Sequence, residues 1–152
     1  MQYLPDAIDM VLQRGVDLEQ ASNNGRTALL WACVLCDEHC VATLLRAGAK
    51  VDIKDKAGAT PLHILMQSSL DPLKLTTLLL DYGARPDEPD HCGFTPISIA
   101  LGRRHFAAAE LLLSRCTDFS KTVDEKIRLM RMAAQHPDCP QGVWTLLEMP
   151  MS

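Results

Sequence analysis

Apolar residues fall into two kinds of block that alternate along the chain. One is a leucine run: Leu44-Leu45, Leu78-Leu79-Leu80 and Leu111-Leu112-Leu113. The other is a shorter apolar stretch behind a threonine: Thr27-Ala28-Leu29-Leu30, Thr60-Pro61-Leu62 and Thr95-Pro96-Ile97. A threonine before a proline reads as a helix start. The residue before proline is pushed to extended geometry, as an N-cap needs, and proline suits the first helical position. Thr27-Ala28 keeps the cap and lacks the proline. Each threonine thus predicts a short helix, and each leucine run lies on a second helix behind it. Gly48 and Gly83 follow the leucine runs and read as left-handed helix ends. The intervening polar stretches, such as Val51 to Gly58, are predicted to be extended pieces joined by a tight turn, with Gly58 and Gly93 at turn positions.

The blocks are in phase. Thr27 and Thr60 are 33 residues apart, and Thr60 and Thr95 are 35 apart; Gly15, Gly48 and Gly83 repeat the same two intervals. One two-residue insertion, near Ser68 to Pro72, accounts for both longer steps. A fixed period of this length marks a repeat architecture in which no single helix pair can bury its own apolar face. The segments Gly58-Ala59-Thr60-Pro61-Leu62-His63, Leu44 to Ala49 and Leu79 to Ala84 resemble the ankyrin repeat, over roughly residues 7–122. The resemblance implies an all-α repeat solenoid of stacked helix-turn-helix units with short β-hairpin loops projecting at one edge. It also implies that His63 clamps repeats together rather than serving catalysis.

Both ends depart from the pattern. The expected division is a partial unit at 1–21, units at about 22–54, 55–89 and 90–122, and a degenerate capping unit at 123–152. The first unit holds only a second helix, about Pro5 to Arg14, with an apolar stripe of Ala7, Ile8, Val11 and Leu12. That stripe suits either a cap or a junction to further repeats upstream. Cys116 stands where a glycine is due, and Arg128-Leu129 stand where Thr-Pro would recur. Asp124 to Gln135 nonetheless reads as a helix, with acidic residues at its start favourable to the helix dipole, and Val143 to Met149 as a short final one. Lys126, Arg128 and Arg131 are expected on the solvent side.

Composition narrows the function. The chain has 152 residues, 47% hydrophobic and 22% charged, and a net charge of -4. This is an ordinary globular composition. The acidic balance argues against a general nucleic-acid binder, and no run approaches the roughly 18 apolar residues of a membrane span. Met1 to Asp6 has neither the basic start nor the apolar run of a signal peptide. The six cysteines are read as reduced thiols packed as small hydrophobes. The expected address is therefore intracellular, in the cytoplasm first, with the nucleus as an alternative. Cys33, Cys36, His39 and Cys40 have metal-like spacing, but a zinc site usually needs two ligand pairs in a compact tetrahedron. They are read as structural, with a small zinc or redox protein as the lesser alternative. No phosphate loop, paired-carboxylate site or triad is identifiable. The expectation is no enzyme, no cofactor and no bound metal.

The ankyrin resemblance implies protein binding on the hairpin tips and the exposed side of the first helices. Carried over by phase, the tips contribute Asn23, Asn24, Arg26, Lys56, Ala59, His91 and Phe94. The helix ends contribute Val34, Leu35, Gln67, Ser68 and Arg103. Phe94 is an aromatic at a turn that packing does not demand. Trp31 is expected in the core, and His91 and His105 in solvent. The partner is another protein, bound by an adaptor that is monomeric unless its N-terminal helix self-associates. The alternative is a recognition segment of a larger protein, such as a ubiquitin-ligase adaptor, a channel or a modular enzyme, although no degradation-adaptor box is recognisable after the repeats.

Overall fold

Each threonine signal opens a helix where the pattern places it. The computed structural model describes residues 10, 12–116 and 123–148. Eight helices are bounded there: α1 (Ala28–Val34), α2 (Glu38–Arg46), α3 (Pro61–Gln67), α4 (Leu73–Asp81), α5 (Pro96–Gly102), α6 (Phe106–Arg115), α7 (Val123–Ala134) and α8 (Gln141–Glu148). Thr27, Thr60 and Thr95 all take extended geometry as the N-caps of α1, α3 and α5. Most of the helix expected at Pro5 to Arg14, with Ala7, Ile8 and Val11, lies outside the described residues; Leu12 packs against the core.

The helices stack in two layers. α1, α3, α5 and α7 pack in succession as an inner layer, and α2, α4, α6 and α8 do so as an outer one. The leucine runs supply the contact between layers. Leu45, Leu79, Leu112 and Leu113 are buried against Leu30, Leu65 and Leu101 of the inner helices. Each such side chain contributes about 1.5–3 kcal/mol by leaving water. α7 and α8 continue both layers despite their altered sequence, with Leu129, Ala133, Val143 and Leu147 buried.

The turns explain the change of period. α2 and α4 end on Gly48 (φ 95°) and Gly83 (φ 91°), and the next amide reaches back to Leu44 and Leu79 carbonyls at 3.0 Å. Within the units at 22–54 and 90–122, the inner and outer helices are joined through a left-handed residue that is not glycine: Cys36 (φ 52°) and Arg104 (φ 64°). The middle unit avoids that conformation. Its insertion lets Ser68 leave α3 with extended geometry (φ -64°, ψ 154°), and Pro72 then opens α4. Where Cys116 replaces the expected glycine, α6 simply stops, with Cys116 at ψ 105° and a single amide bond to Leu113.

The connections at the opposite edge are tight turns. Among the described residues none is assigned to a strand. Asp55 and Asp90 open two of these turns and fold their carboxylates onto the backbone N–H groups two and four residues on, at 2.9–3.0 Å. Successive tips are then joined by one backbone bond each: Lys56 N–H to Asn24 carbonyl (3.1 Å) and His91 N–H to Ala57 carbonyl (3.0 Å).

Candidate protein-binding surface

The threonine caps differ from unit to unit, and the difference sets how firmly the tips are held. His63 sits at the third position of α3, fully buried. Thr60 N–H donates to its Nδ1 at 3.1 Å, so the ring proton lies on Nε2. That proton is donated to the Phe94 carbonyl at 2.9 Å, in the next tip. Burial lowers the His63 pKa below its ordinary 6.5, and this outweighs the bond to Phe94 and the charge of Asp90. The neutral ring thus links a helix cap to the neighbouring turn, in accord with the clamp role. Ser98 occupies the same position in α5 and keeps only the cap, accepting Thr95 N–H at 3.0 Å. In α1 that position is Leu30, and the buried Thr27 hydroxyl has no partner.

Most of the predicted surface residues do line the tips and the inner-helix ends. Asn23, Asn24, Lys56 and His91 are exposed on the tips, with Arg26 half-buried among them. Val34, Leu35, Gln67 and Arg103 are exposed at the ends of α1, α3 and α5. Phe94 is 42% exposed, with the Arg128 guanidinium 5.1 Å from its ring centre and donating to the Gly93 carbonyl at 3.0 Å. Arg128 therefore braces the third tip rather than standing free in solvent.

Four expectations are corrected. Ala59 is only 5% exposed, its small side chain packed into the core cluster, although its N–H makes the same bond to Asp55 that exposed Phe94 makes to Asp90. Ser68 is half-buried, and its hydroxyl lies 3.2 Å from the Cys36 thiol while accepting Leu70 N–H. His105 is tied down too, its Nε2 2.9 Å from the Ser68 carbonyl. These contacts fasten three successive inter-helix turns to one another.

The fourth correction adds a residue to the surface. Trp31 is 42% exposed, with Leu29, Leu30, Ala32 and Cys33 buried around the other sides of α1. The Arg26 guanidinium lies 5.4 Å from its ring centre and is held there by Asp55 at 3.4 Å. α1 is apolar on nearly every side, so its periodicity gives no signal for which residue faces out. Trp31 shares one face with Val34 and Leu35, at i, i+3 and i+4.

The cysteine-rich segment does not converge on a point. Cys33 faces the core, and burial, with a smaller contribution from Cys36, pushes its thiol up to about 12. Cys40 donates to Asp37 at 3.0 Å, and His39 pairs with Thr43 at 3.4 Å. Among the described residues, no three His, Cys, Asp or Glu side chains form a group that could hold a metal ion, and no helix is long and apolar enough to cross a membrane.

A two-layer solenoid with bonded tips and an apolar inner face is a repeat-type interaction scaffold. Comparison with known proteins gives its family. The family model for ankyrin repeats (three copies) matches residues 2–90 and 41–124, and the chain belongs to the ankyrin-repeat family. It is 30% identical to the ankyrin repeat protein FPV031 of fowlpox virus, over 80% of this chain and 37% of that one. It is 30% identical to mouse Rabankyrin-5, over 79% of this chain and 10% of that protein. Human ankyrin repeat and SOCS box protein 16 is 34% identical over 60% of this chain and 22% of its own length. The chain thus spans between about a tenth and just over a third of these relatives' length. Ankyrin repeats are protein–protein interaction modules, and the fold is generally non-catalytic.

Proposed function

We propose that this chain holds a partner protein on the concave surface formed by its turn tips and the exposed ends of α1, α3 and α5. The observation that carries the reading is the display of large apolar side chains there. Trp31 and Leu35 are exposed on one face of α1 and Phe94 on the third tip, and exposed apolar side chains gathered in this way mark interaction sites. The mechanism is rigid display. Tips bonded to one another, and to α3 through His63, present the side chains already ordered, so binding loses little conformational entropy. α7 and α8 continue the two layers as a degenerate fifth unit. The six thiols, with Cys33 packed as a core residue, suit a reducing, intracellular address. The short share of each relative that the chain covers favours a recognition segment that works as part of a larger assembly.

The test is co-purification from native extract, comparing the parent with a variant carrying Asn24→Ala, Lys56→Ala and Phe94→Ala, both first shown to melt alike. A partner held by the parent and lost by the variant is expected, and mass spectrometry then names it. A partner held equally by both would remove this surface as the binding site.

A further inference from the structure

The concave surface is chemically lopsided. The chain as a whole carries 19 acidic and 15 basic residues. Yet the tips at 23–26, 56–59 and 91–94 and the helix ends at 31–35, 64–68 and 99–103 contain no carboxylate and three cations: Arg26, Lys56 and Arg103. Of the two acids that flank the tips, Asp90 turns its carboxylate onto the turn N–H groups, and Asp55 does the same with Oδ1 while its Oδ2 pairs with Arg26 at 3.4 Å; Lys56 and Arg103 are the surface's remaining cations. Acidic side chains instead occupy the remaining loops, the outer layer, as with Glu38 and Asp81, and the first turn of α7, where Glu125 lies beside Thr95 and Arg128. At one end of the basic surface lies its apolar seat, Trp31, Val34 and Leu35 on one face of α1.

The spacing sets a scale for whatever binds. Arg103 ends α5, two inner helices along from α1. At 8–10 Å between packed helices this is roughly 20 Å, a span of about six residues of extended chain.

Resting on the binding surface proposed above, we propose that its ligand is an extended acidic segment of another protein. One bulky apolar side chain sits against Trp31, Val34 and Leu35, and carboxylates meet Lys56 and, about six residues from that anchor, Arg103. Carboxylates close to exposed cations steer the encounter and fix the register. The apolar contact supplies most of the affinity, as buried aromatic anchors do.

Panning a displayed library of random short peptides against the full chain tests this. The best binder is then made as a fluorescent peptide, and its anisotropy is read against the parent and two double variants. Trp31→Ala/Leu35→Ala removes the seat, and Lys56→Glu/Arg103→Glu reverses the charge; all four residues are exposed, and matched thermal melts verify folding. The expected winners are rich in Asp and Glu around a Leu, Phe or Trp. The charge-reversed variant is expected to bind on the order of tenfold more weakly, and the parent to lose affinity as salt rises. Winners that are neutral or basic, lost with the seat variant but indifferent to charge reversal, would overturn the acidic ligand and leave the surface standing. Winners indifferent to both variants would overturn the surface as well. A library with no winner would overturn recognition of a linear segment.

Discussion

Replacing His63 with serine separates the two tasks of that side chain, because the protein already contains the result one repeat further on. Ser98 keeps the helix cap, with Thr95 N–H donating to its hydroxyl at 3.0 Å, and among the described residues bonds only within that cap. His63→Ser is therefore expected to keep the Thr60 cap and lose the 2.9 Å bond from Nε2 to the Phe94 carbonyl. That carbonyl still accepts Asp90 N–H at 2.9 Å, so it is not orphaned. The bond accounts for about 0.5–1.5 kcal/mol, and the space left in a fully packed site for about 1–2 kcal/mol. The expected loss is about 1.5–3.5 kcal/mol, read from urea unfolding followed by far-UV circular dichroism.

The same variant carries a pH signature with a defined sign. In the folded parent the His63 pKa is below 6.5, so the unfolded chain binds the proton more readily. The stability contributed by the neutral ring is complete above the unfolded value of 6.5. It is lost as pH falls from there through the lower folded-state value. The gap between parent and variant should therefore narrow as pH drops below 6.5. The other histidines are common to both proteins and cancel in the difference. A variant within about 0.5 kcal/mol of the parent at neutral pH, or a gap that stays constant with pH, would refute the clamp.

Three further outcomes are expected. Gly58→Ala should cost about 2 kcal/mol or more, because its φ is +78° and a Cβ would stand 2.6 Å from the His91 ring and 2.8 Å from the His91 amide; Gly93→Ala, with nothing within 4 Å, should cost about 1 kcal/mol, and equal melts would refute the close approach of the tips. Arg104→Gly should be more stable than Arg104→Ala by about 1 kcal/mol, since both lose the pair with Asp138 but only glycine relaxes the left-handed turn; the reverse order would deny strain there. Iodoacetamide under native conditions should label the exposed Cys92 first and spare Cys33, whose buried thiol stays protonated to about 12; peptide mapping that finds Cys33 labelled in the folded chain would contradict its place in the core.

The repeat was legible because its signals are local and redundant. A threonine before a proline constrains two backbone positions at once, and Gly48 and Gly83 do take the left-handed geometry that ends α2 and α4. Even the insertion could be located from two independent series of intervals. What the spacing could not convey was its consequence. The insertion spares the middle unit the left-handed turn that Cys36 and Arg104 must make, and it puts Ser68 between the Cys36 thiol and the His105 ring. Both contacts cross from one repeat to the next, at sequence separations where one-dimensional patterns carry no information.

The surface was harder to read than the fold, and Ala59 and Trp31 show why. Phase places Ala59 beside Arg26 and Phe94 on the tips, but phase reports only register. The turn geometry is shared, since Asp55 and Asp90 accept from Ala59 and Phe94 N–H alike; the Ala59 methyl is small enough to be covered by its neighbours, and the Phe94 ring is not. Trp31 errs in the opposite direction. Its equivalents one and two repeats along are Ile64, buried, and Ile99, half-buried, so hydrophobicity alone assigns the position to the core. Those isoleucines lie on α3 and α5, each packed between two inner helices, whereas among the described residues α1 packs against α3 alone in that layer, and the larger indole is left 42% exposed. Arg26, one turn ahead of α1, then lies over the part that emerges. The informative signals were the residue's size against its counterparts and its place on the first described inner helix, not its polarity. The largest side chain at a position that smaller ones fill elsewhere, on a helix with one neighbour fewer, is the one that emerges at the surface.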